Sequence, residues 1–275
     1  MPETSALIET RLRVATWNLW WRFGPWEQRQ PGILQTMRDV DADVWCLQEV
    51  WETRDGESQP RTLAEALGGY DVAHVAGVGL DLAPESMGNA ILSRWPIVDS
   101  ERRSLPSLPY LDELRTAVRA DIAGPRGDLQ VFCTHLNWRL DQSHVRQLQA
   151  RAVCEFIDET RGRRTYPPIL CGDLNADPVS EEIRKLKGQA EPYVPKLIFL
   201  DAWDAGGCGV GHSWDNSNEF AALDCEPNRR IDYVLVGYPR EHGAGQCVHA
   251  ELVGTERING TYPSDHFAVR AELRY

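Results

Sequence analysis

The segment Ile169-Leu170-Cys171-Gly172-Asp173-Leu174-Asn175 runs from an apolar strand straight into a glycine, a carboxylate and a carboxamide. Its unbroken apolar start suits a strand buried on both faces, and the glycine and polar residues end it abruptly. Upstream the same ending recurs in Val14-Ala15-Thr16-Trp17-Asn18, Val44-Trp45-Cys46-Leu47-Gln48-Glu49 and Val131-Phe132-Cys133-Thr134-His135-Leu136-Asn137. Downstream it recurs in Arg230-Ile231-Asp232-Tyr233 and, with the polar residues first, in Ser264-Asp265-His266-Phe267. One carboxylate after one strand usually caps a turn. Six such endings on one scaffold gather carboxylates, carboxamides and two imidazoles where loops converge, which is where α/β proteins place their binding clefts.

Further strands are expected at Tyr70 to Ala76, Ala90 to Ser93, Ala117 to Ile122, Val248 to Val253 and Phe267 to Leu273. The clearest helical stretch is Asp141 to Thr160, with Val145, Leu148, Ala152 and Phe156 on one face and Asp141 placed to cap its start. Shorter helices are expected at Ile33 to Val40 and Leu63 to Leu67. Strands joined partly by tight turns and partly through helices predict an α/β fold with more than one sheet, in one domain spanning 1–275. Two stretches rich in Gly, Asp, Asn and Pro, Lys187 to Pro195 and Ala205 to Pro227, are expected to be surface loops carrying part of a binding site.

The 275 residues are 42% hydrophobic and 25% charged, an ordinary globular balance that excludes disordered and fibrous classes. A net charge of −12 makes the overall field repel nucleic acid and anionic membrane. Met1 to Thr10 carries no basic, apolar leader, and no 18 consecutive apolar residues occur anywhere. Seven scattered cysteines form no CxxC pair, and Cys46, Cys133 and Cys171 sit in strand-like runs, so reduced thiols and a cytoplasmic setting are expected. Oxygen donors with few imidazoles suit Mg²⁺, with Mn²⁺ as a substitute, better than zinc, whose HExxH and Cys spacings are missing. Phosphate-binding GxxxxGK[ST], dinucleotide-binding GxGxxG and nucleophile-elbow GxSxG motifs are missing too.

In order along the chain, WN (Trp17-Asn18), LQEV (Leu47 to Val50), THL (Thr134 to Leu136), GDLN (Gly172 to Asn175), RIDYV (Arg230 to Val234) and SDH (Ser264 to His266) resemble the endonuclease/exonuclease/phosphatase superfamily. GNAILSRWPI, Gly88 to Ile97, resembles its paired-strand segment. The resemblance implies a four-layer α/β/β/α sandwich, two mixed sheets packed face to face with helices outside and the cleft at one end. It implies Mg²⁺ at Glu49, with Asn18 and Asp265 beside it. Asp173 matches the residue that orients or deprotonates the attacking water, and Asn175 its hydrogen-bonding partner. His266 matches the imidazole on the scissile phosphate, Asp232 the carboxylate holding its tautomer, and His135 a second residue on the phosphate oxygens. Arg115 matches a position near the phosphate, and Asn89 and Asn137 flank matched motifs where they would touch substrate.

Trp20, Trp21 and Trp26 follow Asn18 closely and are expected on the cleft rim, where an aromatic face can stack a base, a sugar or a cationic head group. His144, His212 and His249 match nothing and read as surface residues, and Arg161 to Arg164 reads as a basic run complementing a helix C-terminus. The favoured activity is metal-assisted hydrolysis of a small or lipid-derived phosphoester. A DNA or RNA nuclease of the same mechanism is the alternative, and a non-catalytic binding module is a third reading.

Overall fold

The computed structural model describes residues 10–75, 85–109, 114–162, 166–240 and 243–275. Met1 to Glu9, Ala76, and Arg163 and Arg164 of the basic run lie outside the described residues. In chain order the elements are β1 (Arg11–Asn18), α1 (Trp26–Val40), β2 (Val44–Thr53), α2 (Gln59–Leu67), β3 (Asp71–Val75), β4 (Glu85–Ser93), β5 (Ile97–Ser104), β6 (Thr116–Gly124) and β7 (Gly127–His135). They continue as α3 (Ser143–Thr160), β8 (Ile169–Asp173), α4 (Glu181–Leu186), β9 (Phe199–Asp201), α5 (Ala202–Gly206), a 3-10 turn at Ala221–Asp224, β10 (Asp232–Gly237), β11 (Cys247–Val253) and β12 (Ala268–Arg274).

Each sheet has six strands, in the orders β11-β12-β1-β2-β4-β3 and β5-β6-β7-β8-β10-β9, with both parallel and antiparallel pairs. Alternation along the strands makes three apolar layers. Leu12, Val14, Val44, Cys46, Val131, Cys133, Cys171 and Val234 point between the sheets. Trp17, Trp45 and Leu47 point outward onto Ile33 and Met37 of α1 and Leu63 of α2. Phe132, Leu170 and Leu235 point outward onto Val153, Phe156 and Ile157 of α3 and Leu186 of α4. The result is the expected α/β/β/α sandwich. All seven cysteines are free thiols, and no helix among the described residues is long and apolar enough to cross a membrane.

Some sequence expectations fail in detail. α3 starts at Ser143 behind Gln142, so Asp141 does not cap it, and Leu148 is exposed because the buried stripe runs through Val145, Gln149, Val153 and Phe156. α1 and α2 begin earlier than their apolar spacing suggested, and Pro31 lies inside α1. Strand β5 was not expected, since only its pairing with β6 organises its largely exposed residues.

Gly172 shows why one position in this sandwich must be glycine. Its φ is +154°, and a Cβ there would lie 1.9 Å from the Thr134 carbonyl oxygen on the neighbouring strand. Gly172→Ala must therefore open the β7–β8 pairing that carries His135 and Asp173, and is expected to cost about 3 kcal/mol or more. Urea denaturation of the two proteins measures it, and a loss under about 1 kcal/mol would show that the strands can part cheaply.

Candidate active site

Register brings the polar strand ends together. In parallel pairs, Asn18 of β1 lies opposite Gln48 of β2 and His135 of β7 opposite Asp173 of β8. The antiparallel partner β10 sets Asp232 opposite Asp173, so His135, Asp173 and Asp232 stand side by side on three consecutive strands. Alternation alone would point Glu49 away from them. A bulge between Leu47 and Val50, with Glu49 left-handed at φ +51°, turns its side chain into the cleft.

The cleft has a volume of about 680 Å³, and its lining includes Asn18, Glu49, His135, Asp173, Asn175, Asp265 and His266. Asn18 links the two sheets. The Trp20 backbone N–H donates to its Oδ1 at 2.9 Å, which fixes the carboxamide orientation because a peptide N–H can only donate. Asn18 Nδ2 then donates to Glu49 Oε1 and to Asp173 Oδ2, both at 3.1 Å. Asp173 Oδ1 accepts the Asn175 N–H at 2.9 Å. The Ser264 hydroxyl donates to the Asn18 carbonyl at 2.6 Å, and the Trp17 indole to the His266 carbonyl at 2.9 Å, tying the loop before β12 to β1.

The two imidazoles sit in opposite electrostatic environments. Burial by itself would depress His266, but the charges of Asp232, Asp265 and Asp173 reverse this and hold its pKa well above the usual value. Its Nδ1 lies 2.9 Å from Asp232 Oδ2 and its Nε2 3.7 Å from Asp173 Oδ2. His135 is pushed well below its usual value by burial, by Arg115 and by His266. Donors face both ring nitrogens of His135: Arg115 Nη1 sits 2.8 Å from Nδ1, and Asn175 Nδ2, which also donates to the Leu136 carbonyl, sits 3.0 Å from Nε2, with Asp173 Oδ2 3.4 Å from the same Nε2. One imidazole is thus a cation and the other neutral, in adjacent positions.

Two carboxyls are raised to about 7: Asp173 by burial and then by the charge of Asp232, and Asp265 by burial and then by Glu49. Glu49 Oε2 and Asp232 Oδ1 are buried with no hydrogen-bond partner. Unpartnered carboxylate oxygens beside a carboxyl that resists ionisation are what a divalent cation would satisfy, so the residues fit a metal. Besides Glu49 and Asp265, the ligand-type atoms of Asp173, Asp232 and His266 lie within 4.8 Å of one another.

The expected substrate contacts divide. Arg115, Asn89 and Trp20 line the cleft, although the Asn89 carboxamide donates to the Thr116 carbonyl at 2.9 Å. Asn137 does not reach it: fully buried, it donates to Gln142 Oε1 and accepts from Gln149, holding the chain between β7 and α3. Trp21 and Trp26 turn away, Trp21 donating to the Ser86 carbonyl and Trp26 packing edge-on against Trp51. The Ala205 to Pro227 stretch does supply Trp214, Asp224 and Glu226 to the cleft, whereas Lys187 to Pro195 supplies none and instead buries Tyr193 in the outer core. His144 and His249 are exposed and His212 is partly so.

Two neighbours of the site were missed from sequence. Trp214 packs edge-on against His266, with ring centroids 4.9 Å apart, and no local pattern marks it. Arg29 is fully buried, and its spacing of four and eight from Ile33 and Met37 was the available signal that it shares their inward face. Trp20 and Trp21 are both left-handed, at φ +56° and +34°, a conformation costing roughly 1–2 kcal/mol per non-glycine residue.

The profile of the Endonuclease/Exonuclease/phosphatase family matches residues 15–266. The chain is 24% identical over 262 residues to nocturnin of Xenopus laevis, covering 91% of this chain and 65% of that protein. It is 25% identical over 174 residues to sphingomyelin phosphodiesterase 5 of Mus musculus, covering 57% of this chain and 36% of that one. The matches thus span about a third to two-thirds of these relatives. Among solved structures, D. rerio TDP2 complexed with single strand DNA product has a TM-score of 0.77 at 20% identity, over 97% of this chain and 100% of that one. An endonuclease/exonuclease/phosphatase from Bacteroides vulgatus has a TM-score of 0.75 at 20% identity, over 96% and 99%. A family profile spanning nearly the whole chain, on a fold whose strand ends assemble this acidic and imidazole cluster, leads to one assignment: the chain belongs to the endonuclease/exonuclease/phosphatase family, whose members are metal-dependent hydrolases of phosphoester bonds.

Proposed function

We propose that this chain is a Mg²⁺-dependent phosphoesterase acting on a small or lipid-derived phosphodiester or phosphomonoester. The observation that carries the chemistry is the array around Asp173: a buried carboxylate between a neutral and a cationic imidazole, at the floor of an open cleft. Glu49 and Asp265 would hold the ion, with Asn18 orienting Glu49, and the ion would neutralise charge on the phosphate oxygens. Asp173, fixed by the Asn175 N–H, orients a water and takes its proton. His266, kept protonated by Asp232, donates to the phosphate oxygen that gains charge. Neutral His135 and the neighbouring Arg115 bind the remaining oxygens.

The cleft walls favour the small or lipid-derived substrate. Among the described residues, Trp20, Phe23, Met87, Leu114, Trp138 and Trp214 line it with one arginine and no lysine, and Asp224 and Glu226 add acidic groups to the lining. A groove following a polyanion would carry the reverse balance. The nuclease reading is supported by Trp20, Phe23 and Trp138, whose faces suit stacked bases. Hydrolysis of a bis-aryl phosphodiester and of supercoiled plasmid, each with Mg²⁺ and with chelator, separates the two. Mg²⁺-dependent cleavage of the small ester alone is expected; nicking of plasmid would give the nuclease reading precedence, and silence on both would overturn the diester reading and leave a narrow-specificity phosphatase or a binding module.

The raised carboxyls also fix how metal and pH combine. A carboxyl raised to about 7 in the folded state, against 3.8 normally, costs nothing below both values. As pH rises from about 4 to 7 the unfolded chain releases its protons first, so the metal-free fold loses stability, and the cost is complete above 7. Added Mg²⁺ relieves it by binding the ionised forms. The Mg²⁺-induced rise in melting temperature is therefore expected to be larger at pH 8 than at pH 5; equal shifts would remove Asp265 and Asp173 from the metal's surroundings.

A further inference from the structure

Among the described residues no carboxylate lies within hydrogen-bonding distance of the Arg29 guanidinium, although the charges of Asp265 and Glu49 act on it. Fully buried on α1, it donates instead to five backbone carbonyls: Nη1 to Leu19 and Pro263, both at 2.9 Å, and Nη2 to Trp20, Trp21 and Phe23 at 2.9, 3.0 and 3.1 Å. Its carbon lies 4.7 Å from the Trp20 ring centroid. Four of those carbonyls belong to the turn that follows Asn18, and the fifth to the residue before Ser264-Asp265. The side chain thus grips the two segments that adjoin Asn18 and Asp265 without itself lining the cleft.

The consequence passes through one hydrogen bond. The Trp20 N–H that orients the Asn18 carboxamide belongs to the left-handed pair Trp20-Trp21, whose carbonyls Arg29 holds. Besides Arg29, the turn is held by the Leu19 N–H to the Gln48 carbonyl at 2.9 Å, the Trp21 N–H to the Glu49 carbonyl at 3.0 Å, the Phe23 N–H to the Trp20 carbonyl at 3.2 Å and the Trp21 indole to the Ser86 carbonyl at 3.0 Å, and none of these bonds reaches the loop that carries Asp265. A relaxed turn withdraws the Trp20 N–H, frees Asn18 to rotate, and uncouples Glu49 from Asp173. We propose that Arg29 is a positioning residue of this site, holding Asn18 and Asp265 in register with Glu49 by clamping both loops through their carbonyls. The inference rests on the phosphoesterase reading for its kinetic effect and on the geometry alone for its effect on metal binding.

Arg29→Lys is the informative variant, because it keeps the charge near Glu49 and Asp265 constant while losing the planar fork that reaches five carbonyls. Mn²⁺ binding, followed by the electron paramagnetic resonance of the free ion, is expected to weaken about 10-fold, and kcat to fall about 10–100-fold with KM changed less than about 3-fold. Arg119→Lys supplies the comparison. Arg119 is also buried, donating to Asp121 and Asp99 on the second sheet, and its replacement is expected to lower the melting temperature while leaving Mn²⁺ affinity and kcat unchanged. Should Arg29→Lys fail to fold, Arg29→Gln takes its place: losing the cation beside Asp265 and Glu49 would by itself strengthen Mn²⁺ binding, so a weakened affinity still reads the lost grip. A folded Arg29 variant with parental Mn²⁺ affinity and kcat, losing only melting temperature as Arg119→Lys does, overturns the proposal. If the parent binds Mn²⁺ but hydrolyses no phosphoester tested, the functional reading fails, while the change in Mn²⁺ affinity still decides the role of Arg29.

Discussion

Asp173→Asn is expected to lower kcat/KM by about 10²–10⁴-fold while leaving the melting temperature unchanged or raised. The two effects separate because the carboxylate is useful but unwelcome. Burial and the charge of Asp232 push its pKa up to about 7, so ionised Asp173 costs stability at neutral pH, and a neutral isostere removes that cost. Asparagine keeps an oxygen for the Asn175 N–H, but its amide would face the Asn18 Nδ2, donor against donor, and it cannot accept a proton from water. Steady-state kinetics and thermal denaturation at pH 8 on the same preparation test this. Activity within 10-fold of the parent would remove Asp173 as the base, and a large fall in melting temperature would mark it as structural.

Asp232→Asn is the second large effect, with an expected loss of about 10²–10⁴-fold at pH 8 and a changed pH profile. His266 is well above its usual pKa chiefly through the charge of Asp232, against the opposing pull of burial. A raised imidazole acts as a cation until pH climbs through its folded pKa, so the parent's alkaline limb lies above the usual imidazole range. Removing the Asp232 charge leaves burial less opposed, and the limb is expected to move to lower pH, so the loss is smaller at pH 6 than at pH 8. The His266 ring proton in an NMR titration reports the same shift without substrate. An unmoved alkaline limb would show that a group other than His266 sets it.

Much of this site could be read along the chain. Apolar runs that stop at Asn18, His135 and Asp173 mark where β1, β7 and β8 end, whereas β2 continues past Glu49 to Thr53 and β10 begins at Asp232. Gly172 could likewise be recognised within GDLN, though only the 1.9 Å approach to Thr134 explains it. The aromatic cluster was the weakest reading. Three tryptophans near Asn18 suggested one rim, and only Trp20 lines the cleft, since side-chain direction in a left-handed turn follows no periodicity.

What the sequence by itself determined is the inventory and its order: the strands, the polar residues at their ends, the sandwich and the class of chemistry. Local spacing sets which face of an element a side chain takes, and that information is short-range. Only the tertiary structure decided the partners. It made His266 a cation and His135 neutral by their neighbours, turned Glu49 inward through a bulge, withdrew Asn137 into a buried network, and brought the Ser264 hydroxyl to the carbonyl of Asn18 and Arg29 to that of Pro263. Charge states and hydrogen-bond geometry depend on distances between residues far apart in the chain, and those distances exist only once both sheets have packed.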